Sequence, residues 1–395
     1  MKIVQINAVC GKGSTGKICV DISKLLTEKG IENYILYSLG KSDYPLGIKF
    51  TNEKYLKIQA LKSRVFGNYG FNSRSATKNL IKHLEKIQPD IVHIHNIHSN
   101  DVHLEMLFDY FRKAQIKVYW SFHDCWAFTG YCPHFDMIGC DKWKSACHSC
   151  ELKRPYSWFF DKSSKLYERK KAMLDGVNIT VLAPTKWMAD KVKESFFKNV
   201  DCKILMYGLD VELFKPIESD FREKYNLQNK KIVLGVAFNW GPKKGLDVFI
   251  ELAKELPEDY QIVLVGTNDT VDKQLPDNVI SIHKTNNQRE LVEIYTASDI
   301  FVNTTREETF GLVNIEALAC GTPVVTFKSG GSPEAVDESC GSVVEKNDND
   351  TMKKEIIRIC EKKPYSREAC RERVVKCFEK NNSYLKYLDI YEGNN

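Results

Sequence analysis

The segment EETFGLVNIEALACGTPVV, residues 307–325, follows the apolar run DIFVNT and leads into the run TPVVTF. Its pattern predicts a strand, a loop that carries Glu308 and Phe310, a helix that begins near Gly311, and a second strand. Glu316 would lie about one turn inside that helix. Open α/β sheets bind ligands at the carboxyl ends of their strands, where helix N-termini present free N–H groups to phosphate. The two glutamates therefore flank a predicted anion site.

Carboxylates in these two places suit the recognition of a sugar nucleotide. A carboxylate accepts two hydrogen bonds from a ribose diol, as Glu316 would, and a loop carboxylate such as Glu308 can hold sugar hydroxyls. The alternative is an amphipathic helix whose glutamates only face water. An E-x7-E spacing is common by chance, but its setting between a strand, a TFG loop and the EALACGTPVV segment makes it specific.

Short β-rich runs alternate with longer helical patterns over almost the whole chain. This is the signature of βαβ units, in which helices cover both faces of a parallel sheet. We therefore predict an α/β fold of two Rossmann-like domains whose parallel sheets face each other across a cleft. The predicted parts are a first domain at 1–206, a linker at 207–229, a second domain at 230–366 and C-terminal helices at 367–395. Packing of these last helices back on the first domain is one option.

The β-rich runs are predicted as the strands of the two sheets. In the first half they are KIVQINAV, NYILYSL, DIVHIH, KVYWSF, ITVLAP and CKILMY. In the second half they are KIVLGVAF, YQIVLVG, NVISIH, DIFVNT, TPVVTF and GSVVEK. Helical patterns between them include GKICVDISKLLTEKG, SATKNLIKHLEKIQ and GLDVFIELAKEL.

The amino-acid composition and the net charge exclude several classes of protein. Of the 395 residues, 43% are hydrophobic and 28% are charged, which excludes a largely disordered chain. The net charge of +5 is too small for a dedicated nucleic-acid-binding protein, and it favours anionic small molecules or an anionic membrane surface. The sequence has neither the apolar core of a signal peptide nor an apolar run of about 18 residues, so we expect a cytoplasmic protein. The small net charge leads us to expect no nucleic-acid partner. Peripheral association with the inner face of the membrane stays open.

These motifs resemble those of glycosyltransferase family 4, whose members are retaining enzymes that use nucleotide sugars and have the two-domain GT-B architecture. Residues 307–325 match the family signature almost position for position, and GGSPE at 330–334 matches its GGxPE turn. The resemblance implies metal-independent transfer of a sugar, of the hexosyltransferase type, from a nucleoside diphosphate sugar to a saccharide acceptor. Similarity to capsule and exopolysaccharide members implies bacterial surface polysaccharide synthesis on a lipid-linked acceptor.

The resemblance also implies roles for individual residues of the second half. Glu316 would bind the ribose of the donor, and Glu308 would contact the transferred sugar as a catalytic residue. The backbone amides of Phe310, Gly311 and Leu312 would face the sugar and the diphosphate of the donor.

A lysine pair follows the first strand of the second half, in GVAFNWGPKKGLD. Family members usually carry an arginine shortly before a Lys-Gly pair, and both cations lie on the diphosphate. Here Lys244 matches the lysine of that pair, while Asn239 or Trp240 stands near the place of the arginine. Lys243 is a candidate for the second positive charge; the alternative is a solvated surface lysine.

Histidines are concentrated at the ends of two strands of the first half. In DIVHIHNIHS, His95 and His98 stand at the carboxyl end and are predicted to bind the acceptor, whereas His93 is a candidate core residue. One strand further on, KVYWSFHDCWAFTG places His123 and Asp124 at a strand end. The resemblance implies that His123 contacts the donor sugar as a catalytic residue. Asp124 is predicted either to bind the acceptor or to cap the following turn.

The Cys-rich loop, residues 125–155, contains a C-x7-C-x6-C-x2-C pattern formed by Cys132, Cys140, Cys147 and Cys150. Structural zinc takes four soft ligands in a tetrahedron, and a bound metal would order a segment that has little regular pattern. The first pair is spaced more widely than the usual two to four residues. Free cysteines are therefore the alternative to a structural zinc site.

The segment KRPYSWFFDKSSKLYERKKAML, residues 153–174, mixes aromatic and basic side chains. This mixture is typical of segments that lie in the interface of an anionic membrane. The alternative is an amphipathic helix with its aromatic face in the core and its basic face in solvent.

The segment GKGSTGKI, residues 11–18, satisfies both the GxGxxG and the GxxxxGK pattern. Ile18 replaces the Ser or Thr that holds magnesium in an NTPase loop, and the second strand lacks the acidic residue of a dinucleotide site. Both kinds of cofactor loop are therefore excluded. We expect a helix that starts near Gly16 and points its positive end at the ligand, with Gly13 and Ser14 as donor contacts.

Two other functions fit the predicted architecture. A nucleotide-sugar epimerase would use two similar domains with different acids, and a catalytically silent protein would bind the sugar without transferring it. The base and sugar of the donor, the acceptor and its linkage depend on loop shapes that the sequence does not determine.

Overall fold

The computed structural model describes residues 1–393, so the last two residues of the predicted segment 367–395 lie outside the described residues. The chain divides into two compact units. The first unit consists of Met1–Met206 and the chain from Tyr384 onward, and the second unit consists of Tyr207–Ser383. Each unit is built around a parallel sheet, which confirms the predicted α/β class with two Rossmann-like parts.

The first unit contains a seven-stranded parallel sheet. Its strands are β1 (Lys2–Asn7), β2 (Glu32–Tyr37), β3 (Gly47–Lys49), β4 (Ile91–Ile94), β5 (Lys117–Ser121), β6 (Ile179–Ala183) and β7 (Asp201–Ile204). They are ordered β3-β2-β1-β4-β5-β6-β7, so the order changes direction between β1 and β4. That point is the switch position at whose carboxyl edge open α/β sheets bind ligands. The short edge strand β3 does not coincide with any predicted run.

Helices connect these parallel strands. They are α1 (Gly13–Glu28), α2 (Glu53–Phe66), α3 (Arg74–Ile87), α4 (Leu104–Ala114), α5 (Ser163–Ala172) and α6 (Lys186–Glu194). Helix α1 begins one turn earlier than the predicted start near Gly16, which is a correction. Gly13 has a φ of +63° after the extended Lys12, whereas Gly16 lies within the first turns. A Cβ on Gly16 would lie 3.1 Å from Val9 Cγ2, so close packing explains that glycine.

The second unit contains a six-stranded sheet in the order β10-β9-β8-β11-β12-β13. Its strands are β8 (Lys231–Val236), β9 (Tyr260–Val265), β10 (Val279–Ile282), β11 (Ile300–Asn303), β12 (Val324–Phe327) and β13 (Gly341–Val344). Its helices are α7 (Phe221–Lys224), α8 (Leu246–Glu255), α9 (Asp269–Asp272), α10 (Gln288–Ala297), α11 (Leu312–Ala319), α12 (Asn349–Lys362) and α13 (Arg367–Phe378). The last helix, α14 (Lys380–Glu392), begins in the second unit and ends in the first.

The strands of both sheets are apolar because helices cover both faces of a parallel sheet. Val92 and Trp120 belong to the buried cluster of the first unit, and Val233 and Val302 belong to that of the second. The register of β1 places Ile6 beside residues of both β2 and β4. The polar residues that follow these strands therefore emerge together at one edge of each sheet.

The segments on either side of the second unit have their own attachments. The predicted linker, 207–229, lies within the second unit, where the Leu209 N–H donates to Phe378 O at 2.7 Å. At the other end, the Tyr119 hydroxyl donates to Ile390 O at 2.7 Å, so the end of α14 packs on the first sheet. No helix within residues 1–393 is both long enough and apolar enough for a membrane span.

Candidate functional site

The start of α11, at the carboxyl edge of the second sheet, carries the segment 307–325 that the sequence singled out. Gly311 caps the helix with a φ of +85°. The GGSPE turn packs directly on the preceding loop, since the Gly331 N–H donates to Glu308 O at 3.0 Å. A Cβ on Gly330 would lie 1.7 Å from Glu308 O, so glycine is required at this contact.

The two predicted lysines and the acidic loop residues form neighbouring ion pairs. Nζ of Lys244 lies 2.6 Å from Oε2 of Glu308, and Nζ of Lys243 lies 3.3 Å from Oε2 of Glu307. Burial lowers the pKa of Lys243, although Glu307 favours its charged form. Lys243 is thus a paired, partly buried group at the site rather than a freely solvated one.

Backbone contacts fix the lysine turn against the end of β11. The Thr304 hydroxyl donates to Lys244 O at 3.0 Å, and Gly245, which follows, has a φ of +71°. A Cβ on Gly245 would lie 2.3 Å from Oγ1 of Thr304. The close approach of two loops therefore explains the Lys-Gly order in the sequence.

A buried polar network, which the sequence analysis did not single out, joins β11, α11 and the GGSPE turn. Nδ2 of Asn303 donates to Oδ1 of Asn314 at 2.8 Å, and Nδ2 of Asn314 donates to the Ser332 hydroxyl at 2.9 Å. Buried amides that are satisfied in this way stiffen the elements they connect. The one available signal is the presence of Asn314 on the otherwise apolar, buried face of α11.

Glu316 is half-buried inside α11, and its Oε2 accepts a hydrogen bond from the Tyr295 hydroxyl at 3.0 Å. Burial raises the pKa of Tyr295 well above its usual range, and the Glu316 carboxylate raises it further, so the phenol stays a donor. The sequence did not indicate Tyr295, which comes from α10. This bond orients the carboxylate that was predicted to bind ribose.

Two aromatic residues near the site are parts of the core. Phe310 is buried and packs against Tyr207, so its backbone amide and not its ring is available to a ligand. Trp240 is buried too, and its indole N–H donates to Val265 O at 2.9 Å. Trp240 is therefore not the replacement for the missing arginine, whereas Asn239 is exposed. Leu312, at the first turn of α11, is half-buried.

In the first unit, the structure brings together the four polar residues predicted at the ends of β4 and β5. Nδ1 of His95 lies 3.0 Å from Nε2 of His123, and Nε2 of His98 lies 2.8 Å from Oδ2 of Asp124. All four line one small cavity of about 10 Å³. Trp126, which the sequence did not single out, lines the same cavity and packs against His98 with the two rings tilted by 41°.

Hydrogen bonds determine the proton positions on the two stacked histidines. Nε2 of Gln5 donates to Cys19 O, so Oε1 of Gln5 accepts the proton of His95 Nε2 at 3.0 Å. Nδ1 of His95 is then an acceptor, and the His123 Nε2–H donates to it. Burial lowers the pKa of His123 to about 4, so the ring is neutral at pH 7 and its Nδ1 carries a lone pair. A sugar hydroxyl can donate to such a nitrogen.

The neighbouring pair has the opposite charge state. Burial alone would lower the pKa of His98, but the Asp124 carboxylate outweighs it and raises that pKa. Burial would likewise raise the pKa of Asp124, and His98 holds it well below its usual range instead. Asp124 also accepts a hydrogen bond from the Trp126 N–H at 2.9 Å, so it caps the following turn, which was one of the two roles predicted for it. His93 is buried between Ser121 and Tyr391.

The glycine-rich loop lies at the switch position of the first sheet. Gly13 and Ser14 are exposed at the start of α1, which follows β1. The Asn96 N–H donates to Oδ1 of Asn7 at 3.1 Å and ties the end of β1 to the end of β4. Asn7 is a further residue that the sequence did not single out. The loop backbone is therefore available to a ligand beside His95.

Cys132, Cys140, Cys147 and Cys150 of the Cys-rich loop line one cavity of about 20 Å³. Within residues 1–393, three side chains place metal-ligating atoms within 4.8 Å of one another. They are Asp269, Asp272 and His283. This group is largely exposed, and Nε2 of His283 pairs with Asp272 at 2.5 Å. Among the described residues, no three of the four cysteine sulfurs meet the same distance criterion.

Residues 218–376 match the family model of glycosyl transferases group 1, and they lie within the second unit. The chain is 22% identical over 366 residues to the putative colanic acid biosynthesis glycosyl transferase WcaC of Escherichia coli, covering 87% of each chain. It is 30% identical over 155 residues to D-inositol 3-phosphate glycosyltransferase of a Mycobacterium species, which covers 36% of this chain and 35% of that protein.

A solved structure has the same fold over the whole chain. HepE of Anabaena, in complex with UDP, superposes with a TM-score of 0.71 at 17% identity and covers 100% of both chains. Its complex with UDP-glucose superposes with a TM-score of 0.70 at 16% identity and the same coverage. At this level of identity the similarity establishes the fold.

Proposed function

We propose that this chain, whose residues 218–376 form a group 1 glycosyl transferase domain, is a retaining enzyme of glycosyltransferase family 4. It would transfer a sugar from a nucleoside diphosphate sugar to a saccharide acceptor in the synthesis of bacterial surface polysaccharide. The observation that carries this proposal is the arrangement of Glu308, Glu316 and Lys244 around the start of α11. It combines two carboxylates for hydroxyls with a cation and free N–H groups for phosphate.

Each group of the second unit has a specific task in this reaction. Glu316, oriented by Tyr295, would accept the ribose hydroxyls, and Glu308 would hold the transferred sugar. Lys244, Lys243 and the N-terminus of α11 would stabilise the negative charge that develops on the departing diphosphate. Because Oε2 of Glu308 is held by Lys244, this carboxylate suits orientation rather than nucleophilic attack. The implied route is front-face substitution, in which the departing phosphate takes the proton of the incoming hydroxyl.

The polar cluster of the first unit would serve the sugar and the acceptor. The neutral His123 would accept a hydrogen bond from a hydroxyl of the transferred sugar. The His98–Asp124 pair presents a carboxylate held in its charged form, and it would bind acceptor hydroxyls together with His95. Gly13 and Ser14, at the start of α1, would approach the donor phosphates through backbone N–H groups.

The relatives indicate which compounds to test first. HepE was solved with UDP and UDP-glucose, so uridine nucleotides are the first donor candidates. WcaC is named for the biosynthesis of colanic acid, which supports a role of this chain in polysaccharide synthesis. Neither relative determines the sugar, the linkage or the lipid carrier of this chain.

A lipid-linked acceptor would require the first unit to reach a membrane, and one surface suits this. Trp158, Phe159 and Phe160 are 50%, 67% and 51% exposed. Their loop is attached to the end of α2, where the Trp158 N–H donates to Arg64 O at 2.7 Å. Helix α2 adds further exposed apolar side chains, which are Ile58, Leu61 and Phe66. We name this set of six side chains the aromatic surface.

Basic residues surround the aromatic surface. Helix α2 and the segment 153–162 contain Glu53 and Asp161 as acidic residues, and their basic residues are Lys54, Lys57, Lys62, Arg64, Lys153, Arg154 and Lys162. Exposed aromatic rings amid an excess of positive charge complement an anionic bilayer. We infer that the aromatic surface docks peripherally on a membrane of anionic phospholipids.

The transferase proposal is tested by measuring release of nucleotide from UDP-sugars in a membrane extract that supplies acceptors. Glu308→Gln and Glu316→Gln should each abolish most of the transfer, while Glu368→Gln, an exposed glutamate of α13, should not. Unchanged transfer in both site variants would refute the catalytic assignment. An epimerised sugar formed without acceptor would instead identify an epimerase, and binding without turnover would identify a silent sugar-binding protein.

A further inference from the structure

The Cys-rich loop is ordered without α-helix or β-strand. Between β5 and α5 its regular structure consists of three short 3₁₀ turns, which are Trp126–Phe128, Asp136–Ile138 and Lys142–Lys144. The loop nevertheless buries Trp143 and Phe135, whose rings stack with centroids 4.8 Å apart. A loop of this length inside a compact unit needs some source of order besides hydrogen bonds between its own backbone groups.

Four cysteine residues of this loop line one cavity. Cys132, Cys140, Cys147 and Cys150 all line a cavity of about 20 Å³, which is room for one atom of the size of a water molecule. Cys132 and Cys147 are buried, and Cys140 and Cys150 are half-buried. We propose that these four thiolates bind one structural Zn²⁺, with His148, which lines the same cavity, as a neighbour.

A backbone donor points at one of the sulfurs. The Gly130 N–H donates to Sγ of Cys147 at 3.3 Å. Such N–H···S bonds favour an anionic sulfur, and they are the outer contacts that orient thiolate ligands on a metal. Only glycine fits at position 130, since a Cβ there would lie 2.6 Å from Ser163 O.

A buried lysine side chain lies beside the cavity. Lys170 is 0% exposed. Its ammonium donates to Trp126 O at 2.7 Å and to Thr129 O at 3.0 Å, and in the described part of the chain it has no carboxylate within ion-pair distance. A buried ammonium is costly without a counter-charge. Burial lowers the pKa of Lys170 to about 7, and the neighbouring sulfurs of Cys147 and Cys132, when anionic, favour its charged form.

Charge balance connects these observations. Zn²⁺ with four thiolates carries a net charge of −2, and Lys170 is placed to offset part of it. Thr129 and Gly130 link the two groups directly, because Lys170 binds the carbonyl of the first and Cys147 binds the N–H of the second. In the described part of the chain no three of these sulfurs lie within 4.8 Å of one another, so metal binding would draw the loop together.

The proposed zinc is structural and not catalytic. Four protein ligands leave no open position for a substrate or water. The loop begins directly after Asp124, whose side chain caps Trp126, so an ordered loop supports the His98–Asp124 pair. The zinc would act on the candidate site through this connection.

The test is the metal content of the full chain, purified under reducing conditions from cells grown with added zinc. We expect about one zinc per chain by elemental mass spectrometry, and its release by a thiol-modifying mercurial. Cobalt in place of zinc should give the visible spectrum of a tetrahedral thiolate site. Cys147→Ser and Cys150→Ser should lose most of the metal, whereas Cys202→Ser, a half-buried cysteine of β7, should keep it.

Several outcomes would overturn this proposal. They are a metal-free wild-type chain, full zinc content in both loop variants, or disulfide bonds among the four cysteines in the reduced preparation. If the loop variants do not fold, the cobalt spectrum and the mercurial titration of the wild type decide the question. None of these measurements uses transfer activity, so they stand apart from the test of the proposed reaction.

Discussion

Nζ of Lys244 lies 2.6 Å from Oε2 of Glu308, so the lysine predicted for the diphosphate and the glutamate predicted for the sugar form one ion pair. Lys243 and Glu307 repeat the arrangement at 3.3 Å. Pairing holds both lysines at the carboxyl edge of the second sheet, with side chains that are already oriented. Preorganised charge of this kind costs little reorganisation when negative charge develops on a leaving group.

Lys244→Ala is expected to lower kcat of transfer by about 100- to 1,000-fold, because the variant loses a charge at the departing diphosphate. Initial rates of UDP release with a UDP-sugar and membrane extract measure this. Lys244→Arg should recover part of the rate, since the charge is kept while the geometry changes. Lys254→Ala, on the exposed face of α8, is the matched control and should behave like the wild type. Equal rates for Lys244→Ala and the control would contradict the assignment.

Tyr295→Phe is expected to weaken nucleotide binding without a large change in kcat at saturating donor. The variant loses the hydrogen bond to Glu316, worth about 0.5–1.5 kcal/mol, which corresponds to a roughly 2- to 13-fold higher Kd for UDP. Calorimetric titration with UDP gives the value. Tyr365→Phe removes another hydroxyl, one that donates to Gly341 O, and should leave the Kd unchanged. A fall in kcat with an unchanged Kd would show that Tyr295 does not position Glu316.

The His98–Asp124 pair should make stability depend on pH in a defined direction. Because the pKa of His98 is raised in the folded chain, this histidine increases the free energy of unfolding at low pH. That increase is lost as the pH rises through the raised pKa. The lowered pKa of Asp124 means that its contribution is present above about 3.9, its value in the unfolded chain, and is lost as the pH falls below it. The pair therefore stabilises most between about pH 4 and 6.5.

His98→Gln tests this sign. The difference in free energy of unfolding between the wild type and the variant should be largest near pH 5.5 and should shrink toward pH 9, as measured by urea denaturation at each pH. Burial lowers the pKa of His93 to about 3 in both proteins, so the stability that this neutral histidine costs at low pH cancels in the difference. A difference that grows toward pH 9 would mean that His98 is neutral in the folded chain.

The sequence predicted those elements whose cause is local. Apolar runs bounded by polar residues marked all strands of both sheets except β3, because such runs are what burial under two layers of helices requires. The three residues of β3 have no pattern of their own and form a strand only by pairing with β2. The predicted start of α1 was wrong, because the helix start depends on the positive φ of Gly13, which cannot be deduced from residue types alone.

The same distinction between local and long-range causes applies to the residues of the candidate site. Glu308, Lys244 and His123 were predicted because each follows a strand in a motif that can be read along the chain. Tyr295 and Asn7 were missed, since their contacts reach Glu316 and Asn96 from distant segments and have no local spacing. Lys170 belongs to this second group: its burial beside the Cys-rich loop depends on how α5 packs.

The aromatic surface should bind vesicles that contain phosphatidylglycerol more tightly than vesicles of phosphatidylcholine alone. Aromatic rings at the interface supply apolar burial, and the surrounding lysines supply attraction to anionic headgroups, which salt weakens. A variant with Ala at Trp158, Phe159 and Phe160 should lose most of the co-sedimentation with vesicles. Phe238→Ala, which removes a fully exposed ring of the second unit, is the matched control and should retain it. Salt-insensitive binding, or equal binding of both variants, would contradict docking through this surface.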